Sequence, residues 1–264
     1  MSDASQFRIF LNTLRSVKSN FKSSILDFFF MLSKKTVNCK ANSRVISGPF
    51  KNMRFLHQDV FGCASAKLLG TYEIELETIL NELKSYGLNN ILNIGGAEGY
   101  YAIGFASNWH ARNIIVYETI EEGRKLIAKN AKNNNVSEYL DIKGLCTEKE
   151  LYNILNKENI DLLVMDVEGV ELDLLSPRVV NYLKDSFVLI ESHDFCRPGC
   201  LSQLKNLFKN SHSIKIIESR IRTYNDFPYS SILPNFLKEK LMDEERPGIM
   251  QWMIGLPKNH YLFF

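Results

Sequence analysis

Short apolar runs alternate with helical patterns at a regular beat from residue 90 onward. Strands are predicted at Asn90–Ile94, Asn113–Tyr117, Tyr139–Lys143, Asp161–Met165, Phe187–Ile190, Ser213–Glu218 and Ile249–Leu256. Helices between them are predicted at Tyr100–Ser107, Glu121–Asn133, Thr147–Asn156, Val170–Leu183 and Gly199–Lys209. Runs such as Leu162-Leu163-Val164-Met165 are apolar on both faces, as parallel strands covered by helices must be. The pattern predicts an α/β fold, a Rossmann-like doubly wound and mostly parallel sheet of about seven strands with helices on both faces. A chain of 264 residues can bury such a core and leave an appendage.

That appendage is expected at the N-terminus. Phe7, Phe10, Leu14, Val17, Phe21, Ile25, Phe28 and Leu32 recur at steps of three and four, an amphipathic helical pattern. Residues 1–44 carry eight Lys/Arg against two Asp/Glu, whereas the rest carries 24 against 28. Residues 1–43 therefore read as a basic helical arm and linker, and residues 44–264 as the main domain. Packing onto the body or a homodimer contact is the favoured use of the arm, ahead of a membrane surface. Gly48-Pro49 suggests a small hairpin over 44–56, and 71–86 reads as a helix stopped at Gly87. No apolar run approaches the roughly 20 residues of a membrane span, and no secretion signal is read, so a cytoplasmic protein is expected. The five scattered cysteines are not a disulfide framework.

The first strand runs into Gly95-Gly96-Ala97-Glu98-Gly99 and then a helix. Glycines at a strand end let a ligand approach the backbone where a Cβ would collide. Dinucleotide enzymes place a pyrophosphate at such a turn. Here the spacing is not Gly-x-Gly-x-x-Gly, and Glu98 is expected to repel an anion. Glu118, at the end of the second strand, suits ribose hydroxyls of either cofactor type. The order Asn93-x-Gly95-x-Ala97-x-Gly99 resembles the Asp/Glu-x-Gly-x-Gly-x-Gly loop of class I S-adenosylmethionine-dependent methyltransferases, with Asn93 in place of the acid and Ala97 in place of the middle glycine.

Ligands of open parallel sheets bind beyond the carboxyl ends of the strands. The fourth strand ends in Asp166-Val167-Glu168-Gly169-Val170-Glu171, and the fifth in Glu191-Ser192-His193-Asp194. So many ionisable groups at neighbouring strand ends suggest a cleft. With the loop at Gly95, Asp166-Val167-Glu168-Gly169-Val170-Glu171-Leu172 resembles the FkbM-type methyltransferases, mostly O-methyltransferases of sugars, polyketides or other secondary metabolites. Leu68–Glu73 and Gln251-Trp252-Met253 are similar to segments of the same group, so that the likeness spans roughly residues 45–257.

The resemblance implies S-adenosyl-L-methionine as cofactor, held by Asn93, Gly95, Gly96, Ala97, Glu98, Gly99 and Tyr100 along the loop, with Glu118, Cys146 and Asp166. Methyl transfer to a hydroxyl needs the acceptor aligned and its proton removed. His193 is the first candidate base, with Asp166 and Glu168 as further catalytic candidates. A divalent cation such as magnesium is a candidate second cofactor, with Asp166, Glu191 and Asp194 as its ligands. The expected acceptor is a sugar, glycan-precursor or small-metabolite hydroxyl, and the aromatics of 224–234 suit a sugar ring. A nucleic-acid partner is not expected, because no basic-aromatic stripe tracks the body. The rival readings are a nucleic-acid methyltransferase, an NAD-dependent enzyme, and a non-catalytic scaffold working through the arm.

Overall fold

The computed structural model describes residues 26–57 and 62–259. Seven strands form one sheet: β1 (Asn90–Ile94), β2 (Asn113–Tyr117), β3 (Leu140–Lys143), β4 (Leu162–Met165), β5 (Phe187–Ser192), β6 (His212–Glu218) and β7 (Gln251–Pro257). Their order is β3-β2-β1-β4-β5-β7-β6. All neighbours are parallel except β7, which runs antiparallel to both β5 and β6. The predicted doubly wound sheet is therefore present, with an antiparallel closing strand.

Alternation along each strand divides the core into two layers. Leu162 and Val164 face one cluster with Ile91, Ile114, Phe187 and Trp252, while Leu163 and Met165 face another with Leu92, Ile115, Val188 and Met253. Helices α2 (Ala64–Leu69), α3 (Glu77–Lys84), α4 (Tyr100–Gly104) and α10 (Asn235–Met242) cover the first. Helices α6 (Glu148–Leu155), α8 (Pro177–Val180) and α9 (Cys200–Phe208) cover the second. Helix α5 (Glu121–Asn133) places Ile127 in the first layer.

The single helix predicted over 170–183 is broken into α7 (Glu171–Leu174), α8 and a 3-10 turn. Pro177 explains the break. It lacks an N–H, and it holds Ser176 extended at ψ 160°, from where the serine hydroxyl accepts from Val179 N and caps α8.

Residues 26–41 form helix α1, whose Val37 and Ala41 are buried in the first layer. The Lys240 ammonium sits 4.4 Å from the Phe30 ring, and that of Lys40 3.7 Å from Tyr229. This part of the predicted arm packs on the body. The pattern over residues 5–25 lies outside the described residues. The expected hairpin at 44–56 is a short antiparallel turn with one bridge, Arg44 to Arg54, and hydrogen bonds from Val45 N to Met53 O, Asn52 N to Val45 O and Phe55 N to Ser43 O. Among the described residues no helix is long and apolar enough to cross a membrane.

Candidate functional site

The sheet order reverses between β1 and β4, because β2 and β3 lie to one side and β5 to the other. Open α/β sheets bind ligands at such a switch point, beyond the carboxyl ends of the strands. Ile94 pairs with Met165 at this point, so Gly95 and Asp166 emerge side by side. Gly95 has φ +85°, and a Cβ there would stand 1.6 Å from the Asp166 carbonyl oxygen. Only glycine fits this close approach of two strand ends.

The predicted loop residues separate into those that face the cleft and those that do not. Gly95 and Ala97 are half-buried at the surface of the turn. Gly99 caps α4 at φ 92°. Gly96 packs on β2, where a Cβ would meet Val116 Cγ2 at 2.5 Å. Asn93 is buried, and its Oδ1 has no hydrogen-bond partner. Tyr100 points into the core, edge-on to Phe50, Phe55 and Tyr72. Cys146 is also a core side chain, clustered with Tyr117 and Leu151.

Glu98 is fully buried and paired with Lys67 Nζ at 2.9 Å. Its charge is thus neutralised inside the protein, and the expected repulsion of a pyrophosphate loses its support. Glu118 follows β2 and reaches the turn. Its Oε2 accepts from Ala97 N at 2.7 Å and its Oε1 from Ile120 N at 2.7 Å. Each oxygen keeps a second lone pair for a further donor.

The ends of β4 and β5 bring Asp166, Glu168, Glu191 and His193 together. His193 Nε2 lies 3.4 Å from Asp166 Oδ1, 3.4 Å from Glu168 Oε2 and 3.6 Å from Glu191 Oε2. Its Nδ1 is 2.5 Å from Oε1 of Glu171, a fully buried carboxylate that also accepts from Gly169 N. Glu171 escaped the sequence-based site assignment although it closes the Asp166–Glu171 motif. Asp194 does not join the group. It binds the following loop instead, accepting from Gly199 N, Leu201 N and Ser192 Oγ. Glu168 is 79% exposed at the rim and holds a left-handed backbone at φ 53°.

A second set of groups, unforeseen from sequence, walls the cleft. Arg246 binds Glu73 at 2.8 Å, Glu191 at 2.5 Å and Glu244 at 2.7 Å. Glu73 also accepts from the Tyr101 hydroxyl. Beyond Arg246 lies a cavity of about 630 Å³ that includes Arg220, Arg222, Lys240, Ile221 and Ile249 in its lining.

Burial dominates the titration of these acids. It raises Glu73 to about 8, with the charge of Glu191 adding and Arg246 opposing. It raises Glu191 to about 8, with Asp166 adding and Arg246 opposing. Asp166 is raised to about 7 by burial and the charges of Glu73 and Glu168. Burial alone would lower His193, but the Glu171 hydrogen bond and the charges of Glu191, Glu171 and Glu168 outweigh it and raise the imidazole pKa.

No family model matches the sequence, and no curated protein matches it. Solved structures of similar fold include an O-methyltransferase from Bacillus cereus in complex with SAH, at 14% identity and TM-score 0.46 over 87% of this chain and 90% of that one. Another is an rRNA methylase from Streptococcus thermophilus, at 10% identity and TM-score 0.47 over 70% and 97%. A third is a tRNA (uracil-54, C5)-methyltransferase from Pyrococcus abyssi in complex with S-adenosyl-L-homocysteine, at 15% identity and TM-score 0.40 over 68% and 38%. At these identities the likeness is one of fold.

Proposed function

We propose that the protein is an S-adenosyl-L-methionine-dependent methyltransferase of FkbM-like type that methylates a hydroxyl of a sugar, glycan precursor or small metabolite. The observation that carries this reading is the junction at the switch point. A glycine turn tolerating no Cβ meets a strand end bearing Asp166, with Glu118 fixed on one side and the His193 group on the other. The loop backbone and Glu118 would hold the cofactor's amino-acid and ribose parts, with hydroxyl groups donating to the free lone pairs of the carboxylate. When bound, that cofactor supplies an electrophilic methyl group. The acid-rich cleft beside it favours a cationic sulfonium.

Proton removal from the acceptor falls to the side chains at the ends of β4 and β5. Nδ1 of His193 is committed to Glu171, so Nε2 and the Glu168 carboxylate are the groups left to meet a hydroxyl. The cavity beyond Arg246 lies at the same end of the sheet, because β7 enters opposite the end of β5. Its polar and apolar lining suits a polar acceptor of metabolite size.

Calorimetric titration of S-adenosylmethionine, S-adenosylhomocysteine and NAD tests the cofactor. Saturable binding of the first two supports the reading. Binding of NAD alone overturns it, an outcome that matters because Lys67 neutralises Glu98. Labelled cofactor offered with nucleotide sugars, glycans, small metabolites, RNA and protein tests the acceptor. Label appearing only in RNA or protein would sink the hydroxyl assignment.

A further inference from the structure

We propose that Asp166, Glu191 and His193 hold a divalent cation of the manganese or magnesium class, and that Glu171 is the positioning residue that aims the imidazole at it. The cation's part in catalysis rests on the methyl-transfer reading; the binding site itself does not. This set differs from the one expected from sequence, because His193 takes the place of Asp194.

Three features of the side chains point to a cation. First, one donor atom from each of the three residues lies within 4.8 Å of the others. Cis ligands around a six-coordinate ion with bonds of about 2.1 Å stand about 3 Å apart. The distances from Nε2 to Asp166 Oδ1, 3.4 Å, and to Glu191 Oε2, 3.6 Å, are within a small side-chain adjustment of that spacing. Second, Asp166 Oδ1 is buried without any hydrogen-bond partner. A buried carboxylate oxygen needs a donor or a cation, and the imidazole Nε2 of His193, 3.4 Å away, makes no hydrogen bond to this one.

Third, the outer partners of the ligands are already in place. Glu171 Oε1 fixes Nδ1 at 2.5 Å, and is itself held by Gly169 N at 3.1 Å, while its Oε2 meets Cys200 Sγ at 3.5 Å. Arg246 holds Glu191 Oε1 at 2.5 Å, which leaves Oε2 toward the cluster. A carboxylate on the far nitrogen of a ligating histidine is the usual support of a metal-bound imidazole. One nitrogen and two carboxylate ligands, with water in the remaining positions, suit manganese or magnesium better than the softer metals that prefer thiolate. Asp166 is 30% exposed, so the cluster is open toward the cleft.

A divalent cation held here supplies positive charge that eases loss of a hydroxyl proton. Nε2 is then a ligand, and the carboxylate of Glu168 remains to take that proton. The oxygen–hydrogen bond breaks toward Glu168, the oxygen–methyl bond forms, and the sulfur–methyl bond breaks to leave a neutral thioether.

The test is manganese titration of the chelator-treated full-length protein, followed by electron paramagnetic resonance, with S-adenosylhomocysteine calorimetry on the same sample. One equivalent of manganese should bind, with magnesium competing. His193→Gln and Asp166→Asn should each lose at least tenfold in affinity, and Glu171→Gln should lose roughly 10–100-fold. Circular dichroism identifies any variant that fails to fold, and the conclusion then rests on those that do. Absence of a stoichiometric site in the wild-type protein overturns the proposal. So does manganese binding that survives both ligand substitutions. Nucleoside binding without manganese keeps the transferase reading and removes the cation; manganese binding without the nucleoside does the reverse.

Discussion

Gly95→Ala is the most informative single perturbation, because its cost is set by two separable features. The backbone at φ +85° disfavours any L side chain, by roughly 1–2 kcal/mol. The added Cβ would also stand 1.6 Å from the Asp166 carbonyl oxygen, so β4 must move at the residue that carries the cleft. Overpacking of this kind adds about 1–3 kcal/mol. The sum is about 2–5 kcal/mol, which lowers the melting temperature by roughly 4–20 °C in a domain of this size. Two glycines serve as internal standards. Gly87 has φ +64° with nothing within 4 Å of a Cβ, so Gly87→Ala should lose only the backbone part. Gly144 has neither a positive φ nor a neighbour within 4 Å, so Gly144→Ala should fall within about 0.5 kcal/mol of the parent. Urea unfolding followed by circular dichroism ranks the three. Gly95→Ala should also weaken S-adenosylhomocysteine binding more than Gly87→Ala does. Parity of Gly95→Ala with Gly144→Ala in stability would refute the close approach of the two strand ends, and with it the shape assigned to the cofactor turn.

The buried acids set a pH dependence of known sign. Glu73 is raised from 4.5 to about 8, so its contribution is full below about pH 4.5 and is lost as pH rises toward 8. The raised His193 acts in the same direction. Glu171 and Asp226 are depressed and act oppositely below about pH 4.5, as does the buried His212 below about pH 6.5, so the net loss is read above that. The metal-free protein should therefore unfold at lower urea at about pH 8.5 than at about pH 6.5. A flat profile, or one unaltered in Glu73→Gln, would refute this. Lys67→Met should destabilise by about 3–5 kcal/mol, since it leaves Glu98 buried without its counter-charge. The double variant with Glu98→Leu should recover most of that in the same unfolding assay, and equal loss in single and double variants would show that the ion pair is not the cause. Glu118→Ala should weaken nucleoside binding about 10–100-fold by calorimetry, the worth of one or two hydrogen bonds to a charged group. An unchanged affinity would remove Glu118 from the cofactor site.

Which parts of this molecule were legible in its sequence follows from the range of the interactions involved. The strands are legible because a parallel strand covered on both sides must be apolar at every position, as Leu162–Met165 is. The turn at Gly95 is legible because it needs glycine locally, although its reason, the Asp166 carbonyl, lies 71 residues further on. Asp166, Glu168 and His193 are legible as ionisable groups at strand ends. Side-chain direction is another matter. Glu98 sits in a loop of the expected kind, yet the turn at Ala97, with φ +46°, is followed by a side chain that runs inward to Lys67 on α2. Asp194 adjoins His193 in sequence but bonds the start of α9. The least legible residues are those whose partners are distant. Glu73 and Arg246 meet across 173 residues; Glu73 closes the Leu68–Glu73 segment, but nothing in that segment points to Arg246 as its partner. Yet they, with Glu191, determine how much negative charge the cleft retains. The fold is thus encoded by local apolar pattern, whereas the electrostatics of the site depend on a few long-range pairs. Substitutions at Arg246 should therefore change the charge state of Glu191 and Glu73 while leaving the sheet intact, because Arg246 lies outside every strand and helix.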